Sequence, residues 1–157
     1  MEDGRMVKKK MKRAKTVIFM GPEEVHQHTF EHLLKDGFYN DSSTFVLVHI
    51  LNEKSKAQFP PSIDIKNEQE VEDYIYQQFS KFEEEFIDSD RRPKIEKEII
   101  LNSDTKLSAI NFLKDSGADS CVVASSGEDD LGAAASHSLA FYLVAHAPCD
   151  VLVIRPD

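Results

Sequence analysis

The chain is expected to fold as an α/β sandwich around a five-stranded, mainly parallel sheet, and three features of its sequence say so. Five short β-rich runs, at 16–20, 44–51, 94–101, 119–124 and 151–154, alternate with longer amphipathic segments. The segments between them are long enough for crossover connections, which in one sheet are right-handed βαβ units. The second run, TFVLVHIL, is apolar almost without interruption, as strands covered on both faces are.

The elements follow in order. TVIFM (16–20) is the first strand, and Gly21-Pro22-Glu23-Glu24 after it opens a helix: proline suits the first helical position, and acids suit the positive end of the helix dipole. Phe30, Leu33, Leu34 and Gly37 recur at helical spacing, which predicts a helix over 23–36 with one buried face. The polar stretch 52–66, with Pro60-Pro61, is too irregular for regular structure and reads as flexible. From Glu68 to Phe86, Val71, Tyr74, Ile75, Phe79, Phe82 and Phe86 form one helical stripe. KIEKEIIL (94–101) is amphipathic, which places it near a sheet edge. Ser103 or Asp104 caps the next helix, with Leu107, Ile110 and Leu113 inward. Residues 133–146 are almost wholly apolar and predict a buried helix before the last strand, VLVI.

Composition narrows the function. The chain has 157 residues, 41% of them apolar, enough for one domain with a core of its own. Net charge is −9, unevenly distributed: residues 1–15 carry seven Lys/Arg against two acids, so the rest carries −14. An acidic body argues against nucleic acid as a partner, since that affinity rests on neutralised phosphates. The basic head reads as a solvated tail drawn to the acidic body; a domain that docks on a transporter or nucleic acid would rest on this head alone. TVIFM is far shorter than a secretory apolar region, and no segment reaches membrane-spanning length. Two cysteines without a secretory leader fit a reducing compartment. The expected location is the cytoplasm, with no membrane partner.

The C-terminal third carries a resemblance. ADSCVVASSGEDDL…SLAFYLVAHAPCDVLVIRP has a strand opening on Ala-Asp, a loop, an apolar helix ending in His146-Ala147-Pro148-Cys149, and a VLVI-type strand. It resembles the closing signature of the universal stress protein family, and the likeness extends over residues 15–155. The resemblance implies strand order 3-2-1-4-5, a homodimer joined through the last strand (Val151, Leu152, Val153, Ile154), and a stress-related or regulatory role. The division is then a basic tail, 1–14, and a universal stress protein-like domain, 15–157.

Some members of that family bind ATP through Gly, two residues, Gly, nine residues, then Gly followed by Ser or Thr. Here the matching positions are Ala124, Gly127 and, after nine residues ending at Ser136, His137, with Ser138 supplying the terminal hydroxyl. The family's acidic residue after the first strand is replaced by Gly21, and the basic residue beside the second glycine by Glu128. If bound, a nucleotide would therefore meet Gly21, Ala124, Gly127 and Ser138. Missing glycines deny a ligand close backbone approach. Each carboxylate about 5 Å from a phosphate oxygen repels it by roughly 3 kcal/mol at an effective dielectric near 20, more than tenfold in affinity. Glu128, Asp129 and Asp130 follow one another here, and with Glu23 and Glu24 they can occupy helix N-termini themselves. The expectation is no cofactor, no catalysis, and action through an unidentified protein partner. The alternative is a switch holding ATP with Mg²⁺ bridged to Asp129 or Asp130, slow or inert in hydrolysis.

Other constellations are weaker. Glu24, His28 and His32 share a helical face at a spacing a metal accepts, but on the water-facing side, and no metal site is assigned. His49 reads as a hydrogen-bonded core histidine. Cys121 and Cys149 open neighbouring strands and read as structural thiols rather than a redox pair. Ser125, Ser126 and His137 lack the glycine elbow and orienting acid of a hydrolase.

Overall fold

A computed structural model describes residues 14–20, 44–86, 93–124 and 134–154, the side chains of 85, 86 and 134–138 excepted. Its strands are β1 (Lys15–Phe19), β2 (Thr44–Leu51), β3 (Lys94–Leu101), β4 (Ser120–Ala124) and β5 (Asp150–Ile154). Its helices are α1 (Glu53–Lys56), α2 (Glu68–Phe86), α3 (Thr105–Ser116) and α4 (Ala134–His146). The strands form one sheet in the order β3-β2-β1-β4-β5, every pair parallel. The tail 1–14 apart from Ala14, the helix expected at 23–36 with Glu24, His28 and His32, and the loop 125–133 lie outside the described residues.

Alternation along the strands sorts the core into two halves. Ile18, Met20, Phe45, Leu47, Leu51, Val122 and Ala124 face α2, which contributes Val71, Ile75, Phe79 and Phe82. Val17, Phe19, Val46, Val48, Ile50, Cys121 and Val123 face α3 and α4, represented by Ala109, Ile110, Leu113, Ala140 and Leu143. That two-sided burial is why β1, β2 and β4 carry no charged residue past Lys15. At the edge, β3 keeps Lys94, Glu96, Lys97 and Glu98. Lys97 reaches Glu83 on α2 at 3.0 Å, tying the edge to the helix above it.

Asp104 is the cap of α3: its carboxylate accepts the Leu107 N–H at 3.0 Å. Gly117 ends the helix at φ +68°, where an L side chain would be strained.

The structure corrects the sequence reading at three places. Leu107 is 51% exposed. The inward set is Ser108, Ala109, Ile110 and Leu113, and at 3.6 residues per turn Leu107 lies roughly a third of a turn away from it. α4 is not buried all round: Ala140 and Leu143 point inward, while Phe141 and Val144 are 63% and 61% exposed. A helix packed on a sheet covers the sheet with only one of its faces. Residues 52–66 contain regular structure: Asn52 caps α1, accepting the Ser55 N–H at 3.1 Å while its own N–H donates to Ser55 Oγ at 3.1 Å. Behind that capping box, Phe59 is buried and packs into the α2-side core. Among the described residues no helix is long and apolar enough to cross a membrane.

Candidate functional site at the carboxyl edge of the sheet

In a parallel sheet the crevice opens where strand order reverses, outside the carboxyl ends of the strands. Here that point lies between β1 and β4, which pair from Thr16↔Ser120 to Phe19↔Val123. Described residues at this end include Met20 after β1, His49 near the end of β2, Ala124 closing β4, and Ile154 opposite Ala124 on β5. The sequence reading brought Ala124 and Ile154 to this neighbourhood for different reasons, one as a ligand position and one as interface. Gly21, Gly127, Ser125, Ser126 and the acids Glu128, Asp129 and Asp130 lie outside the described residues, as do the side chains of His137 and Ser138.

The floor is apolar and neutral. Met20 and Ala124 are buried, belong to the α2-side core, and have Ile154 packed against the same cluster. Ala124 holds the first glycine position of the family's ATP pattern, and its β-carbon is part of the core. Among these four residues none carries a positive charge.

Among these four described residues, His49 is the polar one. It is 3% exposed, and its Nδ1 lies 2.9 Å from the Met20 carbonyl oxygen. A carbonyl only accepts, so Nδ1 carries the proton and Nε2 is the bare nitrogen. Nε2 is buried and has no hydrogen-bond partner among the described residues. The ring meets Phe59 edge-on at 6.2 Å, and Phe59 in turn lies 5.1 Å from Tyr74. Burial lowers the His49 pKa below its ordinary 6.5, outweighing the Met20 carbonyl, which raises it. The residue is neutral at physiological pH and supplies no cation for a phosphate.

A pH dependence follows. A histidine titrating lower when folded binds fewer protons than in the unfolded chain, so stability is complete above 6.5 and falls with pH from there down to the folded value. The slope from this one residue reaches at most about 1.4 kcal/mol per pH unit. Urea denaturation between pH 7 and 5 should show a shallower decline in His49→Gln than in the parent, since glutamine can donate to Met20 without gaining charge. Equal slopes would mean that the ring protonates freely.

A depression of about 510 Å³ runs along the outer face of α2, beside Asp73, Tyr76, Gln77, Ser80, Lys81 and Glu84. All six are exposed, and all belong to α2. Among the described residues no cluster of three metal-binding side chains occurs.

At the other end of the sheet, Asp119 explains the Ala-Asp of the signature. Its carboxylate accepts the Lys15 N–H at 2.9 Å, and its own N–H donates to the Lys15 carbonyl at 2.9 Å. The aspartate thus pins the start of β1 to the start of β4.

The sequence pattern described as the universal stress protein family matches residues 21–155. The chain belongs to the universal stress protein family. Its fold is shared with solved structures of low sequence identity. A universal stress protein in complex with cAMP superposes with a TM-score of 0.63 at 8% identity, over 93% of this chain and 99% of that one. The universal stress protein UspA of Lactobacillus plantarum gives 0.61 at 17% identity, over 92% and 99%. A family protein from Burkholderia pseudomallei gives 0.61 at 17%, over 92% and 97%. No curated protein sequence matches the chain. The order 3-2-1-4-5 inferred from the resemblance is the order observed.

Proposed function

We propose that this universal stress protein works as a cytoplasmic homodimer with a regulatory role in the stress response, exerted by binding a partner protein, without holding ATP and without catalytic turnover. The observation that carries this reading is the floor of the switch point. Where an ATP-binding relative offers bare backbone and positive charge, this chain has the core-packed Ala124, the apolar Met20 and Ile154, and a histidine kept neutral. Glu128, Asp129 and Asp130 follow within six residues of Ala124 in the sequence. The residues present do not fit a triphosphate.

The dimer reading has support of its own. Among the described residues β5 is the last strand of the sheet, so no described strand pairs with one side of its backbone, and its four apolar residues are part-exposed. Lys106 of α3 lies 5.7 Å over the Tyr142 ring, which places α3 on one flank of α4. Phe141 and Val144 fall on the opposite flank at 100° per residue, the flank toward the β5 edge. Their exposure extends the apolar strip of β5 onto the neighbouring helix, as a covered edge requires.

Thermal unfolding in millimolar Mg-ATP tests the ligand claim. The expected result is an unchanged melting temperature. A ligand at a hundredfold over Kd adds about 2.7 kcal/mol, a rise of several degrees that would overturn the proposal in favour of an ATP-holding switch. Cyclic AMP in a parallel series separates the two halves of a nucleotide: a shift with the single-charge ligand alone would mean that the nucleoside fits and the polyphosphate does not.

A further inference from the structure

The amino edge of the sheet, opposite the crevice, holds the only cysteines of the chain. Cys121 is the second residue of β4 and pairs with Val151 of β5. Cys149 stands two residues before Val151, so strand alternation sends both sulfurs to the face under α3 and α4, where both belong to one apolar cluster. The β4–β5 register and the shared cluster bring the two thiols within range of each other, and each shifts the titration of the other. Their exposures differ in a useful way. Cys121 is fully buried, and Cys149 is half-buried in the bend at 148–149.

The charges around the pair sort the sulfurs. Donation by Cys121 lowers the Cys149 pKa and outweighs burial and the nearby Asp150 and Asp119 carboxylates, which raise it. The same bond, with burial, pushes the Cys121 thiol far up. The half-buried sulfur is therefore the readier nucleophile of the two, and the buried one a protonated neighbour behind it.

We propose that Cys149 and Cys121 form a peroxide-oxidisable dithiol, with Cys149 as the sulfur that meets the oxidant and Cys121 as the one that resolves it. The Cys149 thiolate attacks one oxygen of hydrogen peroxide. The O–O bond breaks, and the departing hydroxide takes a proton to become water, leaving a sulfenic acid on Cys149. Cys121 then attacks that sulfur. The S–S bond forms, the S–O bond breaks, and the hydroxide leaves with the Cys121 proton as a second water. Two thiols lose two protons and two electrons, and one peroxide becomes two waters. Diagonal neighbours across a strand pair sit about 7–8 Å apart at their Cα atoms, at or beyond the roughly 7 Å a disulfide spans. Closure therefore draws the 148–149 bend toward β4, and that bend lies outside the ladder, which begins at Asp150.

The experiment uses the full chain, reduced, exposed to hydrogen peroxide at neutral pH, then denatured in an alkylating agent and weighed intact. The expected product has lost two hydrogens, carries no alkyl group, and reverts with dithiothreitol. Cys121→Ala should stop at a Cys149 sulfenic acid that dimedone captures, and Cys149→Ser should yield no peroxide product. The pH midpoint for alkylation of Cys149 should rise in Cys121→Ala, because the donor is gone; a purely structural thiol pair would leave it unmoved. Two alkyl groups on the peroxide-treated parent chain, or a disulfide joining two chains on a non-reducing gel, would overturn the proposal whatever the variants do.

Discussion

Phe82→Ala should lower the unfolding free energy by about 3–5 kcal/mol, the usual loss for a large aromatic removed from a close-packed core. Phe82 is 0% exposed and stands with Phe79, Ile75 and Val71 in the stripe that seats α2 on the sheet. The stripe carries much of the aromatic volume on this face, beside Phe45 of β2 and Phe59, because the other strand side chains there are aliphatic or Met20. For a chain of this length each kcal/mol moves the melting point by about 2–4 °C, so the variant should melt roughly 10 °C lower. Leu107→Ala supplies the contrast. That leucine is 51% exposed, and its truncation should stay within about 0.5 kcal/mol. A Phe82→Ala loss as small as that of Leu107→Ala would mean that α2 does not lie where its apolar stripe puts it.

Leu152→Lys should convert the proposed dimer into a monomer at micromolar concentration, read by light scattering after size exclusion. In the proposed two-fold pairing, β5 runs antiparallel to its copy, and the row of backbone groups left by β4 on one side finds partners on the other. Lysine near the axis would set two ammonium groups close to each other in a surface otherwise made of Val151, Val153 and Ile154. Like charges across a strand pair repel, and desolvating them costs several kcal/mol more. Phe141→Lys should weaken association in the same direction from the neighbouring helix. Far-UV circular dichroism separates lost association from lost folding. A well-folded Leu152→Lys protein that still runs as a dimer would place the contact on another surface.

Much of this fold was legible because period-2 and period-3.6 patterns hardly overlap in the chain. TFVLVHIL and KIEKEIIL start and stop where β2 and β3 do, and the stripe from Val71 to Phe82 fixed the inward face of α2. The misreadings share a cause: composition was taken for orientation. Leu107 was placed inward because it is apolar, although Ala109 and Ile110 set the direction of the helix. Helix α4 reads as buried because nearly all its residues are apolar, although Phe141 and Val144 stay exposed on one flank. The α1 turn was hidden by the prolines after it, while Asn52 and Ser55, three apart, carried the capping signal. At the site, Ala124 was legible as a lost glycine. The apolar floor shared by Met20, Ala124 and Ile154 was not, because it depends on which strands are neighbours. The nearness of the thiols was hidden for the same reason: 28 positions separate Cys121 from Cys149, and the β4–β5 register closes that gap.

The order of the strands also bears on how the chain is made. β1 emerges first during synthesis, yet its hydroxyl contact from Thr16 to Ser120 spans 104 positions. At translation speeds of about 5–20 residues per second, the middle strand waits several seconds or more with one flank unmatched. Its most apolar stretch, Val17 to Met20, is then an open template for any strand that arrives first. The last third of the polypeptide is thus what closes the sheet around its own beginning, and a nascent chain stopped before Ser120 would present a sticky, half-built layer.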